Sequence, residues 1–229
     1  MSPNRMARLA GLFYLLNIVF GIFAHKVVRE SVLIIGDAAL TVSNVLASES
    51  LFRMAFASDL VMILSYLLLA ATLYTLFKDV SKNQASLMML FVLIATPILA
   101  VNLINHANVL SLLGGADYLN AFTSAQIGAN VMLSFEAFHS GVIIAQIFFG
   151  AWLLPLGYLV YKSGYFPKVL GGLLVIGGIG MMGDTFLNIL YPSYEGILKS
   201  VIEVLGLSEL VFCAWLLVKG ANVTPSTES

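Results

Sequence analysis

Charge is what this sequence has least of: 10% of its 229 residues are Asp, Glu, Lys or Arg, where a soluble globular domain averages about 25%. With 60% apolar residues and a mean hydropathy of +0.97, a water-solvated fold is excluded and lipid is the solvent for most of the chain. Cysteine is nearly missing too. Cys213 stands alone, so no intrachain disulfide and no Cys-based metal motif can form; it lies in an apolar run and reads as core. There is no basic run and the formal net charge is −1, so neither nucleic acid nor an anionic membrane surface is suggested as a partner. Neither a Gly-x-Ser-x-Gly elbow nor a His-Glu-x-x-His pair occurs, which removes two familiar hydrolase signatures. No internal repeat of the kind many carriers show is legible.

What fills the chain is hydrophobic segments of membrane length. They fall at about 7–24, 53–77, 85–113, 134–161, 166–190 and 200–218, separated by charges or by Pro, Gly and Ser. A spanning helix needs roughly 20 apolar residues, so the pattern predicts an all-α, polytopic membrane bundle of about six transmembrane helices. Residues 1–220 form one membrane domain and 221–229 a short flexible tail. Arg5 and Arg8 precede the first segment as they would in a signal peptide, but its apolar stretch exceeds the usual 7–15 residues, and it reads as a retained span.

Loop charge sets the orientation. Arg5, Arg8, Lys78, Lys82, Lys162, Lys168 and Lys219 fall on one side, and Lys26, Arg29, Arg53 and Lys199 on the other. The positive-inside rule then places both termini in the cytoplasm of a multi-pass cell-membrane protein. The cytoplasmic turns are tight, whereas the outer connections 25–52 and 112–133 are long. Weak helical periodicity, for example Ala38, Val42, Val45 and Leu46, suits amphipathic segments lying along the interface. Pro97 and Pro155 each remove a backbone donor inside a span and should kink it. The fifth span carries Gly171, Gly172, Gly177, Gly178, Gly180 and Gly183, which permit close helix approach.

Ionisable residues inside spans are costly, roughly 2.5–3.5 kcal/mol each at the bilayer centre on insertion scales, and face a bundle interior. Here Asp59, His106, Glu136, His139, Asp184, Asn188, Glu203 and Glu209 sit within or at the edges of spans, together with His25, Asn102, Asn105 and Gln146. Spacings of three, four and seven arrange them in stripes. Tyr14, Asn17, Gly21 and His25 form one, and Asp59, Ile63 and Tyr66 another. Asn102, Asn105 and His106 make a third, Glu136, His139, Ile143 and Gln146 a fourth, and Gly177, Gly180, Asp184 and Asn188 a fifth. If each stripe faces inward, one polar cavity opens to the outer side.

The residue pattern is also similar to a known family. Phe138-His139, Phe149-Gly150, Trp152-Leu153, Pro155-Leu156-Gly157, Ser163-Gly164, Pro167, Leu170-Gly171, Asp184 and Pro192, then Glu209, Trp215-Leu216-Leu217 and Lys219-Gly220, resemble the bacterial membrane-protein family called domain of unknown function 4386. The resemblance is strongest over about 134–220. It implies a polytopic protein of the bacterial inner membrane, and it selects His139, Asp184 and Glu209 as family residues without supplying a reaction. Ser208 stands where the family usually has glycine.

Several functions fit these residues. A ligand-, lipid- or partner-binding bundle needs only cross-bonding of polar residues between helices, worth about 0.6 kcal/mol each. A metal-dependent intramembrane hydrolase would place Zn or another divalent ion on His106, His139 and Asp184, with Glu136-x-x-His139 as a bundle-type metal element. A proton-coupled transporter or relay would use the buried acids and histidines as carriers. A b-type haem held by His106 and His139 is a fourth arrangement, and a single histidine pair argues little for it. Membrane lipids are the one partner that composition requires.

Overall fold

The computed structural model describes residues 1–191 and 195–222, with 195–206 described by backbone alone. Among the described residues there is no strand. Helix α1 (Pro3–Ile22) continues through a π-helical segment, Phe23–Arg29, and a last turn, Glu30–Val32. Then follow α2 (Ala38–Ala47), α3 (Glu49–Phe77), α4 (Lys82–Leu113), a 3-10 turn (Asp117–Ala121), α5 (Ser124–Ser163), α6 (Lys168–Leu190) and α7 (Glu195–Val218). Pro3–Val32, Glu49–Phe77, Lys82–Leu113, Ser124–Ser163 and Lys168–Leu190 are five helices long and apolar enough to cross a membrane. In α7 the residues with described side chains, Leu207–Val218, form a shorter apolar stretch.

The helices overrun the hydrophobic windows that announce them. With 29, 32 and 40 residues, α3, α4 and α5 extend about 44, 48 and 60 Å at roughly 1.5 Å per residue, against a hydrocarbon layer of about 30 Å. The excess lies in polar turns such as Glu49–Arg53 and Ser124–Gln126, where Arg53 and Glu49 pair across one turn at 2.7 Å. The same effect lengthens α1, whose tail crosses Lys26 and Glu30, an i,i+4 pair at 2.6 Å. Helix α2 lies in the first long connection, where Val45 of the expected apolar stripe is buried and Leu46 is exposed. Asp37 caps it by accepting from the Leu40 amide at 2.9 Å, and Thr41 and Val45 form its buried side.

The chain divides into two compact units. Unit 1 comprises Met1–Leu15, Ser65–Thr96 and Ile144–Ser229. Its largest fully buried side chains are Trp152, Tyr14, Phe77, Phe212, Leu69, Leu73 and Met88. Here α5 and α6 meet on glycines. A Cβ added to Gly178 would lie 2.5 Å from the Gly150 carbonyl oxygen, and one added to Gly171 2.5 Å from the Gly157 oxygen. Seven residues separate the two glycines in each helix, so the pairs recur on one face. Gly164, at φ +69°, ends α5 in the left-handed conformation that glycine adopts without penalty.

Unit 2 comprises Leu16–Leu64 and Pro97–Ile143. Its apolar core joins Ala24, Val28 and Val32 of α1 to Val45, Phe52, Ala55, Val109, Val131 and Phe135. Asn17 donates to the Met62 carbonyl at 3.1 Å, and a side chain at Gly21 would meet Met62 Sδ at 3.1 Å. The stripe that begins at Asn17 therefore lies against α3.

Candidate functional site

Ala24, Val28 and Val32 recur every four residues on the end of α1 and draw that face into the core of unit 2. Arg29 is taken in beside Val28. It is 6% exposed, and Asp59 of α3 is 1% exposed, so the two charges are removed from solvent together. Arg29 Nη2 donates to Asp59 Oδ2 and also to His106 Nδ1, the latter at 2.9 Å. The Phe138 ring covers the guanidinium, with Cζ 4.1 Å from its centroid, an arrangement that favours a cation. The π segment also brings a second basic group to Asp59: His25 Nε2 lies 3.4 Å from Asp59 Oδ1. Segments of this rare geometry concentrate at functional sites because the altered register redirects side chains.

The contacts of His106 fix its tautomer. Arginine has only donors, so Nδ1 must accept, and Nε2 then carries the proton and donates to the Phe52 carbonyl at 3.0 Å. The imidazole is neutral in this arrangement and both of its nitrogens are occupied. Phe52 also stacks on it at 3.9 Å with 12° between the planes.

The cluster is not closed. Arg29 Nη1 is buried without a protein hydrogen-bond partner, and buried Asp59 Oδ1 makes no hydrogen bond but faces His25 Nε2 at 3.4 Å. Burying an ion pair costs several kcal/mol per ion, which good geometry repays only when the remaining polar atoms are also satisfied. The arrangement thus leaves one buried guanidinium donor group free and one acceptor oxygen contacted by the His25 imidazole alone.

Unit 1 has its own buried polar group. The Tyr14 hydroxyl donates to Glu209 Oε2, and the Tyr14 and Tyr66 rings meet Trp152 edge-on at 6.0 and 5.2 Å. The Tyr66 and Ser208 hydroxyls are buried without a protein hydrogen-bond partner.

The expected site residues therefore separate. Asp59 and His106 come together through Arg29. Glu136 and His139 are exposed, because Val131, Phe135, Phe138 and Ala145 take the inward face of α5 and the two polar residues each stand one position round from a buried phenylalanine. Asp184 is half-buried and accepts from Gln146 Nε2 at 3.3 Å, and Asn188 is half-buried on the same helix. Glu209 is half-buried with Tyr14. The side chain of Glu203 and the tail beyond residue 222 lie outside the described residues. Among the described residues no three His, Cys, Asp or Glu side chains gather as a metal site. Arg29 is the residue that sequence reasoning missed, although continuing the stripe Asn17, Gly21, His25 by four positions lands on it.

Membrane-length apolar helices around a core that admits a buried ion pair define a multi-pass α-helical membrane protein. The chain belongs to the family described as Domain of unknown function (DUF4386), which matches residues 9–220. It is also similar to an uncharacterized protein of Archaeoglobus fulgidus, 32% identical over 155 residues that cover 68% of this chain and 76% of the relative. No solved structure matches it.

Proposed function

We propose that the chain is a multi-pass membrane protein that binds a small polar ligand at the Arg29–Asp59–His106 cluster. The observation that carries this reading is buried Arg29 Nη1, which has no hydrogen-bond partner, together with Asp59 Oδ1, which makes no hydrogen bond and has the His25 imidazole 3.4 Å away. A ligand with an oxygen acceptor for the first and an N–H or O–H donor for the second completes a buried network that is costly while incomplete. Carboxylic acids, amides and amino acids have that complementarity. The test is thermal melting of the detergent-purified chain across a panel of such compounds, in wild type and Arg29→Lys. Lysine retains the counter-charge of Asp59 but lacks the second guanidinium nitrogen. A compound that stabilises wild type and binds the variant at least tenfold more weakly supports the reading, while a panel that shifts both proteins alike, or neither, overturns it.

A proton-coupled reading draws on His25. Its side chain is 32% exposed yet lies 3.4 Å from Asp59 Oδ1, which links an exposed face to a buried acid. Uptake in proteoliposomes that ignores a pH gradient removes this reading, and a pH-gradient response equal in wild type and His25→Gln removes His25 from it. Divalent-metal chemistry on His106, His139 and Asp184 has less support, since both nitrogens of His106 are occupied and His139 is exposed.

Six spans with both termini cytoplasmic complete the proposal. Arg29 belongs to a buried pair and is not a loop charge, so seven inner cations stand against Lys26, Arg53 and Lys199.

A further inference from the structure

Apart from the ionic cluster, unit 2 contains a cleft of about 340 Å³ between the end of α4 and the start of α5. Its polar lining is Asn105, Asn108, Ser111, Asn130 and Ser134, and Tyr118 stands at its edge, 70% exposed. No Lys, Arg, His, Asp or Glu lines it, which leaves nothing to neutralise a phosphate or an ammonium.

The hydrogen bonds already made decide what the cleft offers. Asn105 Nδ2 donates to Asn102 Oδ1 at 3.0 Å, Asn130 Nδ2 to the Gln126 carbonyl at 2.8 Å, and the Ser134 hydroxyl to the Asn130 carbonyl at 2.9 Å. Each of these three side chains thereby has an acceptor oxygen left over. Exposed Asn108 and Ser111 add groups that both donate and accept. Leu112, Leu119, Leu133 and Ala137 supply apolar walls. A donor-rich, uncharged ring with an apolar face matches that lining, and the cleft volume corresponds to about a dozen water-sized groups at roughly 30 Å³ each. Since α4 and α5 exceed the hydrocarbon thickness by roughly 20–30 Å, their ends reach headgroup depth.

The geometry points to a binding site for a neutral, polyhydroxylated ring, the chemistry of a glycolipid headgroup or a free hexose. Leftover amide and hydroxyl oxygens accept from the ring hydroxyls, and Tyr118 packs against the apolar ring face.

The test uses the full chain in phosphatidylcholine nanodiscs doped with either a galactosyl diacylglycerol or phosphatidylglycerol, with bound lipid read by native mass spectrometry. The expected result is at least tenfold preferential retention of the galactolipid, lost in Asn108→Leu. Asn108 is exposed, so that variant should keep the wild-type melting curve; Asn130→Leu serves if it does not. Displacement by free galactose assigns the site to the sugar alone, and resistance to it assigns the site to the lipid-borne ring. Equal retention of the two lipids, preference for phosphatidylglycerol, or unchanged retention in both leucine variants overturns the proposal.

Discussion

At the scale of single residues, the buried Arg29–Asp59 pair makes the sharpest energetic demand. Asp59→Asn leaves a guanidinium that is 6% exposed without its counter-charge, and breaking a buried pair from one side costs about 3–5 kcal/mol. Replacing both partners with apolar residues of similar volume removes the desolvation penalty along with the attraction. Arg29→Met/Asp59→Leu should therefore melt well above Asp59→Asn while losing every response to small polar ligands. A double variant no more stable than the single one would show that the pair holds the fold and leave no reason to treat it as a recognition site. His106 is the next test. Removing its ring in His106→Ala strands an Arg29 donor, at a cost of about 1–3 kcal/mol, whereas Arg53→Gln deletes only an exposed i,i+4 pair and should leave the melting curve nearly unchanged. Two of the three residues of this cluster were legible in the sequence. Asp59 and His106 stood out because charged and imidazole groups are rare in apolar runs, but Arg29 lies just past the hydrophobic window, between Lys26 and Glu30. Composition gives such an arginine to the loop, and only the burial of Val28 and Val32 beside it shows that it turns inward.

At the scale of elements, close packing and register are separable predictions. Gly178→Ala would place a methyl 2.5 Å from the Gly150 carbonyl oxygen, while Gly172 has nothing within 4 Å. Overpacking of this kind costs about 1–3 kcal/mol, so Gly178→Ala should lower the melting midpoint and Gly172→Ala should hold or raise it, alanine being the better helix former. Equal losses in both would refute the close approach of α5 and α6. The glycines of α6 were visible in the sequence as a run, and the family pattern included Gly150, Gly157 and Gly171. What the sequence withheld was the pairing of 150 with 178 and 157 with 171, since the two helices face each other only through tertiary packing. The π segment behaves differently. Val27 lies within it and is 52% exposed, so deleting Val27 removes one residue from the wide turn and rotates Arg29 by about 100° relative to the helix before it. The deletion should cost as much as losing Arg29 from the pair, and adding Arg29→Met should then change little. Full additivity would mean that the π register does not aim the arginine.

At the scale of the whole molecule, the open quantity is the number of crossings, and the two chain ends bear on it. Within unit 1 a Cβ at Gly220 would lie 1.8 Å from Asn4 Oδ1, Arg8 Nη2 reaches the Val218 carbonyl at 3.5 Å, and the Asn222 amide donates to the Tyr165 carbonyl at 2.9 Å. Residues near both ends of the chain thus adjoin one another and the α5–α6 turn. Ends that meet on one side go with an even number of crossings, which favours the six spans proposed above over five. Cysteine labelling tests this directly, because Cys213 is the one native cysteine and is only 3% exposed. In intact cells an impermeant maleimide should label Asp117→Cys in the outer connection. It should reach Ser2→Cys, Asn83→Cys and Asn222→Cys, all exposed positions, only after permeabilisation. Labelling of Asn222→Cys together with Asp117→Cys would put the ends on opposite faces and remove the sixth span. Labelling of Ser2→Cys, Asn83→Cys and Asn222→Cys in intact cells, with Asp117→Cys silent, would keep six spans but invert the orientation proposed from the loop cations.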